Sequence, residues 1–243
     1  MAEVREPEAA VDLRVIRTSQ RREAPVGTYN RQYLRSEEAD RHYSRSIYQR
    51  LYRRVSQQVE ALPGQQVLEV GCGTGAFAQC LMENSSIGYR GFDLSKVGVQ
   101  KARSRTGCHD CFYVADARCL ESYERPYDTI VCLEVLEHIE RDLDVIAKWK
   151  LGCQCICSVP NFDYATHVRW FRDKGQIVSR YGGLISIRNV ERISCPLLHG
   201  RGWRAYLRQL RWSRNNPRRM LGLLGYRSFD NFAGWFLFCG TRR

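Results

Sequence analysis

Residues 67–77, Val-Leu-Glu-Val-Gly-Cys-Gly-Thr-Gly-Ala-Phe, constrain this chain more than any other stretch. Val67, Leu68 and Val70 read as a short buried strand, and Gly71, Gly73 and Gly75 follow it at once. The run from Gly75 to Met82 then reads as the opening of a helix. Glycine reaches positive φ and carries no side chain, so a turn built this way lets a ligand approach the backbone closely. The first N–H groups of the following helix point at the same spot. A dinucleotide site would carry G-x-G-x-x-G at this point. Here the order is E-x-G-x-G-x-G, with Glu69 inside the strand.

The segments downstream decide what the turn serves. Gly88–Asp93 reads as a second strand, and Asp93 lies one βα unit beyond Gly73, which sets its carboxylate beside the glycine turn. An acid there can accept two hydrogen bonds from a ribose diol. Ser95 is a plausible N-cap for the helix that follows. Cys111–Asp116 and Tyr127–Glu134 read as third and fourth strands, each ending in an acid, and Cys153–Val159 as a fifth. Strand ends of an open α/β sheet converge on one crevice, so the glycines, Asp93, Asp116 and Glu134 form a constellation.

Over residues 67–138 the chain resembles a class I S-adenosylmethionine (SAM) methyltransferase, nearest the ubiquinone-pathway O-methyltransferases. Glu134-Val-Leu-Glu-His-Ile139 matches that subgroup's fourth-strand motif, whereas Ser158-Val-Pro-Asn161 departs from its usual wording. The resemblance implies an α/β, Rossmann-like, doubly wound seven-stranded sheet, mostly parallel, with an antiparallel last strand inserted between the fifth and sixth. It also implies an N-terminal cap helix and a lid insertion. SAM is then the cofactor, contacted by Glu69, Gly71, Gly73, Gly75, Asp93 with Leu94, Asp116 with Ala117, and Glu134. His138 is the candidate general base for a hydroxyl acceptor, because imidazole titrates near neutrality; the alternative is that it only caps or packs the helix expected over 139–150.

A second arrangement uses overlapping residues. Glu134, Glu137 and His138 spell E-x-x-E-H, and His167 follows Asn161 by six residues. Two carboxylates and two imidazoles suit Mg²⁺ or Mn²⁺. This resembles the small-RNA 3′-terminal 2′-O-methyltransferases, whose later histidine lies farther along in a longer insertion. A metal-free site is the leading expectation.

Charge divides the chain. Residues 1–160 hold 22 Lys and Arg against 22 Asp and Glu, while residues 161–243 hold 16 against 4, so the whole net charge of +12 sits in the last third. Fifteen of those sixteen cations are arginine, suited to forked contacts with phosphate or carboxylate. The leading acceptor is a small molecule, aromatic or anionic, with RNA as the alternative partner and a SAM-binding interaction module without turnover as a third reading. Residues 1–35 are expected as a flexible arm before one domain over 36–243, with 161–215 as a basic lid. Within it, Trp203, Leu207 and Leu210 share one helical face and Arg204, Arg208 and Arg211 another.

A helix is expected from Ser36 to about Ala61, where Tyr43, Ile47, Leu51, Val55 and Val59 recur every four residues before Pro63-Gly64. Tyr29, Tyr33 and Tyr43 are candidates to face the ligand. Pro217–Leu224 reads as the helix before a sixth strand, with Tyr226–Phe229 leading into the turn, and Gly234–Gly240 as the buried last strand. Nothing approaches a membrane-spanning apolar run or a secretory signal, so the eleven cysteines read as reduced cytoplasmic thiols. Cys153, Cys155 and Cys157 would pack on one strand face, and Cys108–Cys111 has C-x-x-C spacing without a second pair to complete a zinc site. The sequence leaves the oligomeric state open.

Overall fold

The computed structural model describes residues 17–18, 22–64, 66–195, 203, 207, 210, 211, 214, 220 and 233–243. In chain order these form β1 (Arg17–Thr18), α1 (Val26–Arg35), α2 (Glu37–Asp40), α3 (Gln49–Glu60), β2 (Gln66–Val70), α4 (Ala76–Asn84), β3 (Gly88–Asp93), α5 (Lys96–Thr106), β4 (Phe112–Val114) and β5 (Thr129–Leu133). Then follow α6 (Asp142–Ala147), β6 (Gln154–Pro160), β7 (Arg169–Trp170), α7 (Lys174–Tyr181), β8 (Ile185–Ser194) and β9 (Gly234–Arg242). Seven strands make one sheet in the order β4-β3-β2-β5-β6-β9-β8. The first five are parallel, and β9 runs antiparallel to both β6 and β8. The expected fold is therefore present, including the reversed last strand.

Alternation along the strands separates two cores. Leu68, Val70, Ile130, Cys132, Cys155 and Cys157 face one side, where Val145 and Ile146 of α6 and Ile177 and Tyr181 of α7 cover them. Val67, Val131 and Ile156 face the other, under Leu51, Val55 and Val59 of α3, Phe77 and Leu81 of α4, and Val99 and Ala102 of α5. Cys153, Cys155 and Cys157 are buried together as small apolar residues, as their spacing implies.

Four expectations need correction. The sixth strand is β8, not a segment after 217–224, so β7, α7 and β8 lie inside the stretch read as the lid; an edge strand with a polar outer face has a weak apolar pattern. Of 196–232 only six residues are described, among them Trp203, Leu207, Leu210 and Arg211, which are helical; the expected arginine face at Arg204 and Arg208, the helix over Pro217–Leu224 apart from Met220, and the turn at Tyr226–Phe229 lie outside the described residues. The helix expected over 36–61 breaks into α2, capped by Ser36, a 3₁₀ turn Tyr43–Arg45, capped by the His42 side chain, and α3, which starts without a side-chain cap. Lastly, α1 falls within the expected flexible arm, and Cys108 and Cys111 are joined in a disulfide where the turn after α5 sets their Cα atoms 5.5 Å apart.

Gly75 fixes how α4 leaves the turn. Its φ is +76°, and a Cβ added there would lie 2.9 Å from the Ala102 Cα of α5. Positive φ costs an alanine about 1–2 kcal/mol before any clash, and the backbone of α5 cannot swing aside. Gly75→Ala is expected to lower stability by more than that amount, read as a reduced midpoint in thermal denaturation.

Candidate functional site

The carboxyl ends of β2, β3, β4 and β5 open into a cavity of about 1180 Å³. Glu69, Gly71, Gly73, Asp93, Leu94, Asp116, Ala117, Glu134 and His138 all line it. Gly75 does not; it is the N-cap of α4. The site residues read from the sequence thus come together, with Gly75 shaping the turn from behind.

Backbone hydrogen bonds hold the glycine turn open. Gly71 and Cys72 donate to the Phe92 carbonyl at 2.8 and 2.9 Å, and Gly75 donates to that of Cys72 at 2.9 Å. Gly71 and Gly73 have φ of +72° and +52°. A side chain on Gly73 would meet the Tyr33 hydroxyl at 3.2 Å, so the backbone is bare toward the cavity and roofed by Tyr33 of α1. Asp93 locks the turn to β3: its carboxylate accepts from Gly73 N at 2.9 Å and Ser95 N at 2.7 Å. A carboxylate has about four lone-pair sites, so two remain for a ligand's hydroxyls.

The remaining acids differ in state. Glu69 is buried and accepts from the Tyr89 hydroxyl; burial pushes its carboxyl up to about 8, against the opposing pull of that hydrogen bond. Glu134, at φ +56°, is likewise raised to about 8 by burial while accepting from Ser158 Oγ at 2.8 Å. Asp116 goes the other way, held down by hydrogen bonds from Arg118, whose Nη2 lies 2.6 Å from it. It sits two residues past β4, not at the strand's last position.

His138 ends a 3₁₀ turn, Leu136–His138, and the helix expected over 139–150 shortens to α6. Its Nδ1 lies 2.9 Å from the Thr166 carbonyl, and burial lowers its basicity. A neutral ring whose Nδ1–H donates there keeps its lone pair on Nε2. The Tyr29 ring meets it edge-on at 5.8 Å. Glu137 is fully buried, neither carboxylate oxygen has a hydrogen-bond partner among the described residues, and burial raises its affinity for a proton well above normal. His138 Nε2 lies 3.7 Å and His167 Nε2 4.0 Å from Glu137 Oε1. Among the described residues, these three side chains group closely enough to hold a metal ion. Glu134, the fourth member suggested by the sequence, points instead to Ser158.

Tyr29 and Tyr33 line the cavity as expected; Tyr43 does not, since it is buried and accepts from Asn84. Sequence reasoning missed Phe162, Tyr164 and Thr166, Arg118, and Glu23 ahead of α1. Only an aromatic cluster around His167 hinted at the first group; the last two reach the cavity through pairings between distant segments.

The volume, the bare glycine turn and the paired acids fit a nucleoside bearing a cationic tail. Fold and cavity together define a Rossmann-like α/β protein with an open cleft at its strand ends. A family model described as a methyltransferase domain matches residues 40–187, more than half the chain, and the chain belongs to that family. It is similar to the ubiquinone biosynthesis O-methyltransferase of Pasteurella multocida (strain Pm70), 29% identical over an alignment of 106 residues that covers 38% of this chain and 43% of that protein. The counterpart from Vibrio cholerae serotype O1 (strain ATCC 39541 / Classical Ogawa 395 / O395) is 31% identical over 96 residues, 38% and 39% of the two chains. The chain thus spans about two-fifths of these curated relatives. Among solved structures, the N-methyltransferase NodS from Bradyrhizobium japonicum WM9 with S-adenosylhomocysteine matches with a TM-score of 0.54 at 16% identity, covering 89% of this chain and 99% of that one. The [4+2]-cyclase SpnF matches at 0.55 and 17% identity, over 79% and 80% of the chains. Such likenesses show the fold alone, which hosts more than one chemistry.

Proposed function

We propose that this protein transfers a methyl group from SAM to an oxygen or nitrogen of a small-molecule acceptor. The observation that carries this reading is the convergence of the glycine turn, Asp93, Glu69, Asp116-Ala117, Glu134 and His138 on one cavity. SAM, when bound, supplies a methyl already made electrophilic by its sulfonium. Asp93 would accept from the ribose hydroxyls, Asp116 and Ala117 would flank the adenine, and Glu69 would face the amino-acid end. Tyr29 and Tyr33 close the cavity over them, excluding water and holding the acceptor in line. For a hydroxyl acceptor, His138 Nε2 takes the proton as the oxygen attacks. Incubating the protein with tritiated SAM and the small-molecule fraction of a cell extract tests this; no label in any product sinks it.

A divalent cation is a second reading, favoured by the buried Glu137 carboxylate, which lies between two imidazoles and has no hydrogen-bond partner among the described residues. Glu137, His138 and His167 would hold the ion, which would lower the pKa of an acceptor hydroxyl, and His138 would then be a ligand and not a base. The two readings separate cleanly. EDTA leaves label transfer unchanged if His138 is the base; if the ion is used, EDTA abolishes transfer, Mn²⁺ restores it, and Glu137→Gln loses Mn²⁺ binding in electron paramagnetic resonance.

A further inference from the structure

The turn that carries Glu137 and His138 is held from behind. Arg169 of β7 is 4% exposed and does not line the cavity. Its Nη1 donates to the carbonyls of Leu136, at 2.6 Å, and Ile139, and its Nη2 to that of Glu140 at 2.7 Å. Next to it, Val168 N donates to the Glu137 carbonyl at 2.8 Å. Two adjacent residues therefore bind four of the five carbonyls from Leu136 to Glu140. The same segment supplies the Thr166 carbonyl against His138 Nδ1.

Arg169 is itself anchored. Asp142, wholly buried, lies 3.1 Å from its Nη1 and also accepts from Arg180 Nε and the Tyr181 hydroxyl, both at 2.9 Å. Burying such charges is a weak source of stability, since an apolar packing of similar volume is often as good or better. A planar fork that reaches three carbonyls in different directions instead specifies one backbone path, and a lysine ammonium cannot span them.

We infer that Arg169 is a positioning residue: anchored by Asp142, its guanidinium sets the path of residues 136–140 and thereby the placement of Glu137 and His138 in the cavity. The consequence for methyl transfer rests on the function proposed above, whereas the placement does not. The test is Arg169→Lys in the full chain, with three readouts. Calorimetric affinity for S-adenosylhomocysteine is expected to stay at the wild-type value, because the glycine turn and Asp93 do not touch this network. Carbethoxylation of His138 by diethyl pyrocarbonate, followed by peptide mass spectrometry and referenced to exposed His109, is expected to speed up several-fold. Label transfer from tritiated SAM is expected to fall in kcat by roughly 10²-fold, the cost of about 1 Å of misplacement. An unchanged His138 reaction rate in a cooperatively melting Arg169→Lys protein would overturn the proposal. Should that variant not fold, Asp142→Asn, which frees the guanidinium from its anchor, decides by the same histidine readout. Wild-type protein that transfers no label removes the methyl-transfer reading alone, and the carbethoxylation rates still decide the role of Arg169.

Discussion

Asp93→Ala is expected to abolish SAM binding at any concentration practical in calorimetry, while the protein still folds. Two losses add. The carboxylate would accept from both ribose hydroxyls, and a hydrogen bond to a charged group contributes about 1.5–3 kcal/mol. Removing two weakens binding by roughly 10²–10⁴-fold. The same carboxylate ties Gly73 N and Ser95 N to the end of β3, so the variant also frees the turn that must lie against the ligand. Burial favours the protonated acid at this position, and those two N–H groups oppose it. Asp93→Asn therefore discriminates: its one carbonyl oxygen can keep a backbone bond but not serve all four partners, and its affinity is expected to fall between wild type and alanine. A dissociation constant for Asp93→Ala within a few-fold of wild type would mean that the ligand does not lie across this carboxylate.

Asp93 is legible in the sequence because its position follows from local rules. A strand that ends in glycines and a second strand one βα unit later must be neighbours, and their ends must meet. The same holds for Asp116 and Glu134, and for Val55 and Val59 beneath the sheet. What the sequence hides depends on partners far along the chain. Tyr29 and Tyr33 are legible as residues that face the ligand, but nothing local says that Tyr33 meets Gly73 or that Tyr29 meets His138. Strand β8 is legible only at its start, where Tyr181–Ile187 reads as a hairpin or edge strand; beyond that Arg188, Asn189, Glu191 and Arg192 outnumber the apolar residues, and the register against β9 fixes its extent. Arg169 reads as one cation among many in a basic third, and its burial among carbonyls 29–33 residues away is invisible to composition. The E-x-x-E-H motif tells which residues are near one another, but not that Glu134 turns to Ser158 while Glu137 faces the histidines.

Four acids have a proton affinity raised by burial, Glu69, Asp93, Glu134 and Glu137, and all push stability the same way with pH. Burial pushes the Glu69 carboxyl up to about 8 in the folded chain, against 4.5 when exposed, and pushes Glu134 the same way. Between those values the native state binds protons that the unfolded chain has released, so stability falls as pH rises through the window. The contribution is fully present below 4.5 and is lost by the time pH passes 8. His138, whose basicity burial lowers, works oppositely, gaining stability as pH rises through the ordinary histidine range near 6.5. The clean interval is therefore between about 6.5 and 8. There the ligand-free protein is expected to lose up to a few kcal/mol, seen as a falling thermal midpoint. A cationic ligand reverses the preference, because a positive charge in the cavity favours the carboxylates. SAM should then bind with release of protons near neutral pH, so calorimetric enthalpies measured in phosphate and in Tris should differ by the buffers' ionisation heats. Glu69→Gln removes its share of both effects. A ligand-free midpoint that is flat or rising from about pH 6.5 to 8, together with buffer-independent enthalpies, would show that these carboxyls are already ionised and that the cavity is wetter than its burial implies.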